Sequence, residues 1–188
     1  MTDVRRLNAV SARAVTLRDA APADRPFLLA LYASTRSDEL ALTGWSPETR
    51  EVFVQMQYQA QQADYQRRHP ESVCQVIESD GHPAGRLWVA RDDDGLHVLD
   101  IALVPAARGH GIGTACLRSV LDDAREARRD VRLSVLAGNP ARRLYERLGF
   151  VARGKAGLHQ TMSWTPPPGD HRRAPANDFP LEMRHEQA

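Results

Sequence analysis

The stretch RGHGIG, residues 108–113, places three glycines within five positions between two predicted elements. An apolar run over 96–104 predicts a strand before it, and apolar residues at helical spacing over 112–128 predict a helix after it. A second apolar run, 131–136, predicts another strand. A strand, a helix and a strand at this spacing form a βαβ unit, so we expect the two strands to be parallel neighbours in an α/β (α+β) fold.

The rest of the chain predicts antiparallel strands and further helices around this unit. The predicted strands are 13–18, 72–79, 84–91 and a closing hairpin of 150–153 with 158–164. The predicted helices are 19–35, a helix from Pro47 to about Tyr65 after a loop at 36–45, and a short helix over 139–150. On the helix from Pro47, apolar spacing predicts a buried face made of Val52, Phe53, Met56, Ala60 and Ala63.

These elements predict one folded domain with a segment on each side. We expect a flexible N-terminus over 1–12, a domain over 13–164 and a disordered, proline-rich tail over 165–188. The tail holds five of the twelve prolines of the chain and few apolar residues that could anchor it.

Composition and charge exclude several classes of function. The 188 residues carry a net charge of +1, which favours neither nucleic acid nor an anionic membrane as a partner. No apolar run is long enough to span a membrane, and the first ten residues lack the apolar region of a signal peptide. Cys74 and Cys116 predict no disulfide framework, and His69, His82 and His159 show no metal-ligand spacing among them. We therefore expect a soluble, cytoplasmic protein without a bound metal.

The glycine-rich loop predicts a phosphate site, because a helix N-terminus offers free amides and the positive end of a dipole to an anion. Two common phosphate-binding patterns do not fit. A dinucleotide fingerprint, G-x-G-x-x-G, requires a third glycine at the position of Thr114. A P-loop requires a lysine directly after its last glycine, and the only lysine of the chain is Lys155.

The pattern that fits is R-x-x-G-x-G, formed by Arg108, Gly111 and Gly113 directly after L-V-P. It resembles the pyrophosphate-binding signature of the GCN5-related N-acetyltransferases, the GNAT superfamily. The segment NPARRLYERLGF resembles the second signature of that family, N-x-x-A-x-x-L-Y-x-x-x-G-F, although Asn139 lies one residue closer to Tyr145 than is usual. Over 13–164 the chain is similar to small, mostly uncharacterised bacterial members of the superfamily.

The resemblance implies the GNAT fold and a co-substrate. The fold has a mixed central β-sheet of about six to seven strands with a parallel, splayed central pair, and about four helices. The co-substrate is acetyl-CoA, whose pantetheine arm fills the gap between the splayed strands and whose pyrophosphate lies at the loop. The implied cofactor-binding residues are Ile101, Ala102, Leu103, Arg108, Gly109, His110, Gly111, Ile112, Gly113, Thr114 and Asn139. Asn139 is also open to a role as a helix cap.

The resemblance also implies catalytic residues. Tyr145 matches the family tyrosine that gives a proton to the departing thiolate, and a phenol with a pKa of about 10 is protonated at neutral pH. The base stays open between Asp100 and His97, and Asp100 is equally open to a structural role. Strict strand alternation places these two on opposite faces, which a β-bulge would change.

The acceptor pocket is expected between the first two helices, their loop and the closing hairpin. Acidic and aromatic side chains there suit a cationic amine, namely Asp38, Glu39, Trp45, Tyr58 and Tyr65.

We therefore expect an acetyl-CoA-dependent N-acetyltransferase that acetylates a primary amine, of a small molecule or a peptide, by direct attack in a ternary complex. No nucleophile for an acyl-enzyme stands out, because Cys116 lies on the apolar face of a helix. Two alternatives stay open, a non-catalytic acyl-CoA-binding sensor or interaction module and a peptide or protein N-acetyltransferase. A homodimer is also open.

Overall fold

The computed structural model of the protein describes residues 4–10 and 13–168, which form one mixed sheet and five α-helices. The strands are β1 (Val4–Val10), β2 (Arg13–Asp19), β3 (Val73–Ser79), β4 (His82–Asp92), β5 (Gly95–Leu103), β6 (Val131–Leu136), β7 (Val151–Ala156) and β8 (His159–Trp164). The helices are α1 (Arg25–Ser34), α2 (Ser37–Ala41), α3 (Pro47–Arg68), α4 (Ile112–Ala127) and α5 (Arg142–Arg147). Short 3₁₀ turns at Pro22–Asp24 and Pro105–Ala107 precede α1 and follow β5.

The strand order is β1-β2-β3-β4-β5-β6-β8-β7. Every neighbouring pair is antiparallel except β5 and β6, which α4 connects. The predicted βαβ unit and the mixed sheet are therefore confirmed. The sheet has one strand more than expected, β1, and the described residues contain one more α-helix, α2.

The sheet separates two apolar clusters. The larger lies on the face covered by α4 and α5, where Ile112 and Val98 are buried. The smaller joins α1 and α3 to the opposite face, where Tyr58 packs with Val76 of β3. Because helices cover both faces of β4, its side chains are buried without interruption from Ala84 to Ala90.

The N-terminal segment differs from the expectation of a flexible 1–12. Residues Val4–Val10 pair with β2 as an edge strand, Leu7 packs against the larger cluster, and Arg5 forms an ion pair with Asp123 of α4 at 2.7 Å. An edge strand with one solvated face carries few apolar residues, so its composition looked like that of a loop. Of the predicted tail, Thr165–Pro168 has no regular structure, and residues 169–188 lie outside the described residues.

The predicted buried face of α3 was wrong. Val52 and Met56 are 69% and 54% exposed, whereas Val54 and Tyr58 are buried beneath the helix. The helix is rotated because its buried side also carries Gln61 and Tyr65, which form hydrogen bonds with Arg86 of β4 and with the Leu99 carbonyl of β5. The preceding segment, predicted as a loop, contains α2, which buries Leu40.

The helix predicted over 139–150 is shorter than expected. Asn139 Oδ1 accepts a hydrogen bond from the Ala141 amide at 2.9 Å, which makes a turn, and α5 begins only at Arg142. Gly149 has a φ of +91° and ends the helical segment, as predicted.

A partly buried ion network fixes the start of α1 to the sheet. Arg18 of β2 donates two hydrogen bonds to Asp24, both at 2.7 Å, and its Nε donates to Glu78 of β3 at 2.7 Å. Asp24 also accepts from the Ala21 amide at 2.8 Å. The Arg18 guanidinium, with that amide, lowers the pKa of Asp24 from 3.8 to about 2.

We predict that Asp24→Asn lowers the free energy of unfolding by about 2 kcal/mol at pH 7. The pKa of Asp24 is lower in the folded than in the unfolded state, so its contribution is complete above pH 4 and disappears as the pH falls towards 2. Urea denaturation of both proteins between pH 7 and pH 3 measures the effect. Asp122→Asn is the control, because its pair with Arg125 is exposed; equal losses for the two variants would contradict the prediction.

Candidate active site

The central strands β5 and β6 part after three residue pairs. Leu96, His97 and Val98 lie opposite β6, whereas the second half of β5 has no pairing with it. In consequence Ile101 and Leu103 are only half-buried, although they lie in the middle of the sheet. The predicted splayed pair is thus present and leaves an opening beside the second half of β5.

A β-bulge lies where this opening begins. Trp88 of β4 lies opposite Asp100, and the next residue of β4 lies opposite Val98, so Leu99 is the extra residue. The bulge reverses the alternation and turns Asp100 to the α3 face, the same face as His97. Strict alternation, which placed the two on opposite faces, was therefore wrong. The Leu99 carbonyl accepts a hydrogen bond from the Tyr65 hydroxyl of α3 at 3.0 Å.

Asp100 is held by an arginine that the sequence analysis missed. Arg86 of β4 is 3% exposed and donates from Nε at 2.8 Å and from Nη2 at 2.5 Å to Asp100 Oδ2. Nη2 also donates to Gln61 of α3 at 3.0 Å. The available signal was a lone arginine within an apolar strand, followed by a strand with a single acidic residue.

His97 lies in the paired part of β5, before the opening. Its ring is perpendicular to that of His69, with 5.4 Å between the ring centres. Burial, followed by the charges of His69 and Arg132, lowers the pKa of His97 below 6.5. His97 is therefore neutral at pH 7. The bulge at Leu99 separates it along β5 from the glycine-rich loop.

Tyr145 of α5 is buried, and its ring packs edge-on against Phe150 with 6.0 Å between ring centres. Burial, followed by the negative charge of Asp100, raises the pKa of Tyr145 from 10 to about 12. The phenol therefore keeps its proton throughout the neutral pH range.

The glycine-rich loop presents free amides at the start of α4. Gly109 and Gly111 have φ of +77° and +78°, values that side chains other than glycine rarely adopt. The first intrahelical hydrogen bond runs from the Ala115 amide to the Gly111 carbonyl at 3.0 Å, so the amides from Ile112 to Thr114 precede it. The Arg108 Nε donates to the Leu103 carbonyl at 2.9 Å and ties the loop to the end of β5. This chemistry fits an anionic group such as a pyrophosphate.

Residues 39–150, more than half of the chain, match the profile of the acetyltransferase (GNAT) family. The chain belongs to the GNAT family. A Bacillus subtilis protein, provisionally named a ribosomal protein bS18-alanine N-acetyltransferase, is 34% identical over 93 residues. The match covers 46% of this chain and 58% of that relative.

Solved structures share the fold at low sequence identity. PaiA N-acetyltransferase from Thermoplasma acidophilum, in complex with coenzyme A, has a TM-score of 0.62 and 16% identity, with 80% of this chain and 98% of that chain covered. Mycobacterium smegmatis RimJ, in complex with CoA-disulfide, has a TM-score of 0.61 and 23% identity, with 86% of each chain covered. These likenesses establish the GNAT fold.

The residues expected to form the acceptor pocket of this GNAT protein lie in separate places in the structure. Asp38 and Glu39 are exposed on α2, and Trp45 packs edge-on against Phe53 with 5.0 Å between ring centres. Trp45 borders an apolar hollow of about 410 Å³ on α3. Tyr58 and Tyr65 lie beneath α3, where they contact α1 and the sheet.

Neither thiol has the character of a nucleophile. Burial raises the pKa of Cys116 to about 12 and that of Cys74 to about 11, so both are protonated at neutral pH. Within residues 4–10 and 13–168, no three His, Cys, Asp or Glu side chains are grouped to hold a metal ion. None of the helices that the structure describes is long and apolar enough to cross a bilayer.

We predict that Tyr65→Phe lowers the free energy of unfolding by about 1–2 kcal/mol, because the Leu99 carbonyl loses its hydrogen bond within the structure. Chemical denaturation measures the loss. Tyr58→Phe, on the same helix, is the matched control, since the described residues offer its hydroxyl no hydrogen bond. Similar stability of the wild-type protein and Tyr65→Phe would contradict a role for Tyr65 in holding the bulge.

Proposed function

We propose that this GNAT protein is an acetyl-CoA-dependent N-acetyltransferase, which transfers an acetyl group to a primary amine by direct attack in a ternary complex. The observation that carries the proposal is the opening beside the second half of β5. At the Leu103 end of this opening, Arg108 joins the glycine-rich loop to β5, and Asp100 lies near the end where the strands part.

Acetyl-CoA suits both parts of the opening. The first-turn amides of α4 would donate to its pyrophosphate, with the Arg108 guanidinium beside them. The backbone of β5 from Ile101 to Leu103 would bind the pantetheine arm, because this segment lacks pairing with β6. An amide near Leu103 would stabilise the negative charge that develops on the acetyl oxygen. The coenzyme A bound to the Thermoplasma acidophilum and Mycobacterium smegmatis proteins supports this class of co-substrate.

The proposed reaction forms one bond and breaks one. The nitrogen of a neutral amine attacks the acetyl carbon, and the bond between that carbon and sulfur breaks. The amine nitrogen loses a proton to Asp100, directly or through water, and the thiolate receives a proton from Tyr145. We favour Asp100 over His97 as the base, because Asp100 lies where the strands part and His97 lies in the paired segment.

The acceptor is a primary amine, and the narrower candidate is the α-amine of a protein N-terminus. The similarity to the Bacillus subtilis relative favours this candidate over a small amine. An alanine-initiated peptide and the diamine putrescine, assayed by release of CoA, separate the two. Because both cysteines are free thiols, we place the protein in the cytoplasm.

We predict that Gly111→Val abolishes the binding of acetyl-CoA in a calorimetric titration, whereas the wild-type protein binds one equivalent and does not bind NAD. A branched side chain at Gly111 would block the approach of the pyrophosphate to the amides of α4.

The control is Gly81→Val in the turn between β3 and β4. Gly81 has a φ of +77°, close to that of Gly111, so a valine there imposes similar strain away from the loop. Gly81→Val should bind acetyl-CoA normally. Normal binding of acetyl-CoA by Gly111→Val would contradict the proposal that the pyrophosphate lies at this loop.

We predict that Tyr145→Phe lowers kcat by about 10²-fold and changes the affinity for acetyl-CoA by less than about twofold, because only the proton donor is lost. Steady-state kinetics with the better of the two acceptors, together with calorimetry, measure both quantities. The control is Tyr32→Phe on α1, since the residues that the structure describes offer its hydroxyl no hydrogen bond. A wild-type protein that binds acetyl-CoA and acetylates neither acceptor would favour the sensor alternative.

A further inference from the structure

The Arg86 guanidinium is buried and only partly satisfied. Its Nε and Nη2 donate to Asp100 Oδ2, and Nη2 also donates to Gln61. Its Nη1 is buried without a hydrogen-bond partner among the described residues. A buried donor left without a partner costs about 1–3 kcal/mol.

Stability alone is a poor explanation for this arrangement. A buried ion pair is often no more stabilising than well-packed apolar residues of similar volume. The surroundings of Arg86 would suit an apolar side chain, since its neighbour across β3 is the fully buried Val76. Unlike a methionine at this position, Arg86 fixes the orientation of the Asp100 carboxylate.

That orientation points one carboxylate oxygen towards solvent. Both bonds from Arg86 end on Oδ2, whereas Oδ1 accepts no bond from the described residues and is not among the buried polar atoms. The Asp100 side chain is 23% exposed, and Asp100 directly follows Leu99, the extra residue of the bulge. Oδ1 is therefore the oxygen that remains available where β5 and β6 part.

Helix α3 contributes to the same arrangement. Gln61 accepts from Arg86, and Tyr65, one turn later, donates to the Leu99 carbonyl. These two contacts join α3 to the ion pair and to the bulge. The helix, the arginine and the carboxylate thus form one continuous hydrogen-bonded unit.

We propose that Arg86 is a positioning residue, which holds the Asp100 carboxylate at the opening between β5 and β6 with Oδ1 directed to the incoming amine. The inference rests on the proposed acetyl transfer, and it adds a residue that acts through Asp100 without touching either substrate. Its consequence is that Arg86 matters to catalysis only while Asp100 is present.

A double-mutant cycle tests this consequence. The proteins are the wild type, Arg86→Met, Asp100→Asn and the double variant, and the acceptors are the alanine-initiated peptide and putrescine. The readouts are kcat and KM for the acceptor, and the dissociation constant of acetyl-CoA by calorimetry. The double variant removes both charges together, which avoids leaving one of them buried alone.

We expect Arg86→Met to lower kcat by about 10²-fold through misplacement of the carboxylate, with acetyl-CoA affinity changed by less than about twofold. Arg86→Lys keeps a positive charge without the paired donors and should recover part of the lost kcat. In the Asp100→Asn background, Arg86→Met should lower kcat by less than about threefold further.

The control is Arg91→Met, which removes an exposed arginine from the same strand. It should leave all three quantities unchanged, and thermal melting confirms that each variant folds. A further tenfold loss in the Asp100→Asn background, or weakened acetyl-CoA binding by Arg86→Met, would show that Arg86 acts independently of Asp100 and would overturn the inference. Absence of turnover by the wild-type protein with both acceptors would instead overturn the acetyl transfer on which it rests.

Discussion

The separation of β5 from β6 after three residue pairs is the constraint on which the rest of the structure depends. Backbone groups in the middle of a sheet require hydrogen-bond partners, and here the usual partner strand has turned away. The second half of β5 therefore exposes main-chain donors and acceptors inside the protein. This accounts for the half-buried Ile101 and Leu103, and it leaves backbone groups that the proposed co-substrate would bind.

The bulge at Leu99 determines which side chains meet that surface. It turns Asp100 to the α3 face, where the buried Arg86 binds it, and it presents a carbonyl to Tyr65. Without the extra residue, Asp100 would face the apolar cluster beneath α4, where its charge would have no partner. The bulge, the ion pair and the position of α3 are therefore mutually dependent.

The sequence predicted those features that depend on local order along the chain. Apolar runs and a glycine pattern identified β5, the loop, α4 and β6, because each signal lies within its own element. The bulge was not predictable in this way, since Leu99 is fixed by Tyr65, which lies 34 residues earlier in the chain. The buried face of α3 was mistaken for the same reason, because Gln61 faces the sheet to accept from Arg86. The position of the bulge and the buried face of α3 both depend on partners that are distant in sequence, and local periodicity carries no information about such partners.

The charge of one proposed proton-transfer group, Asp100, bears on the pKa of the other, Tyr145. Part of the rise in the pKa of Tyr145 comes from the negative charge of Asp100. In the proposed reaction, Asp100 becomes neutral when it takes the proton of the amine, and this removes its contribution to that rise. Tyr145 therefore becomes a stronger acid at the step in which the thiolate needs a proton. Because Arg86 holds the Asp100 carboxylate, the same ion pair would bear on both of the proposed proton transfers.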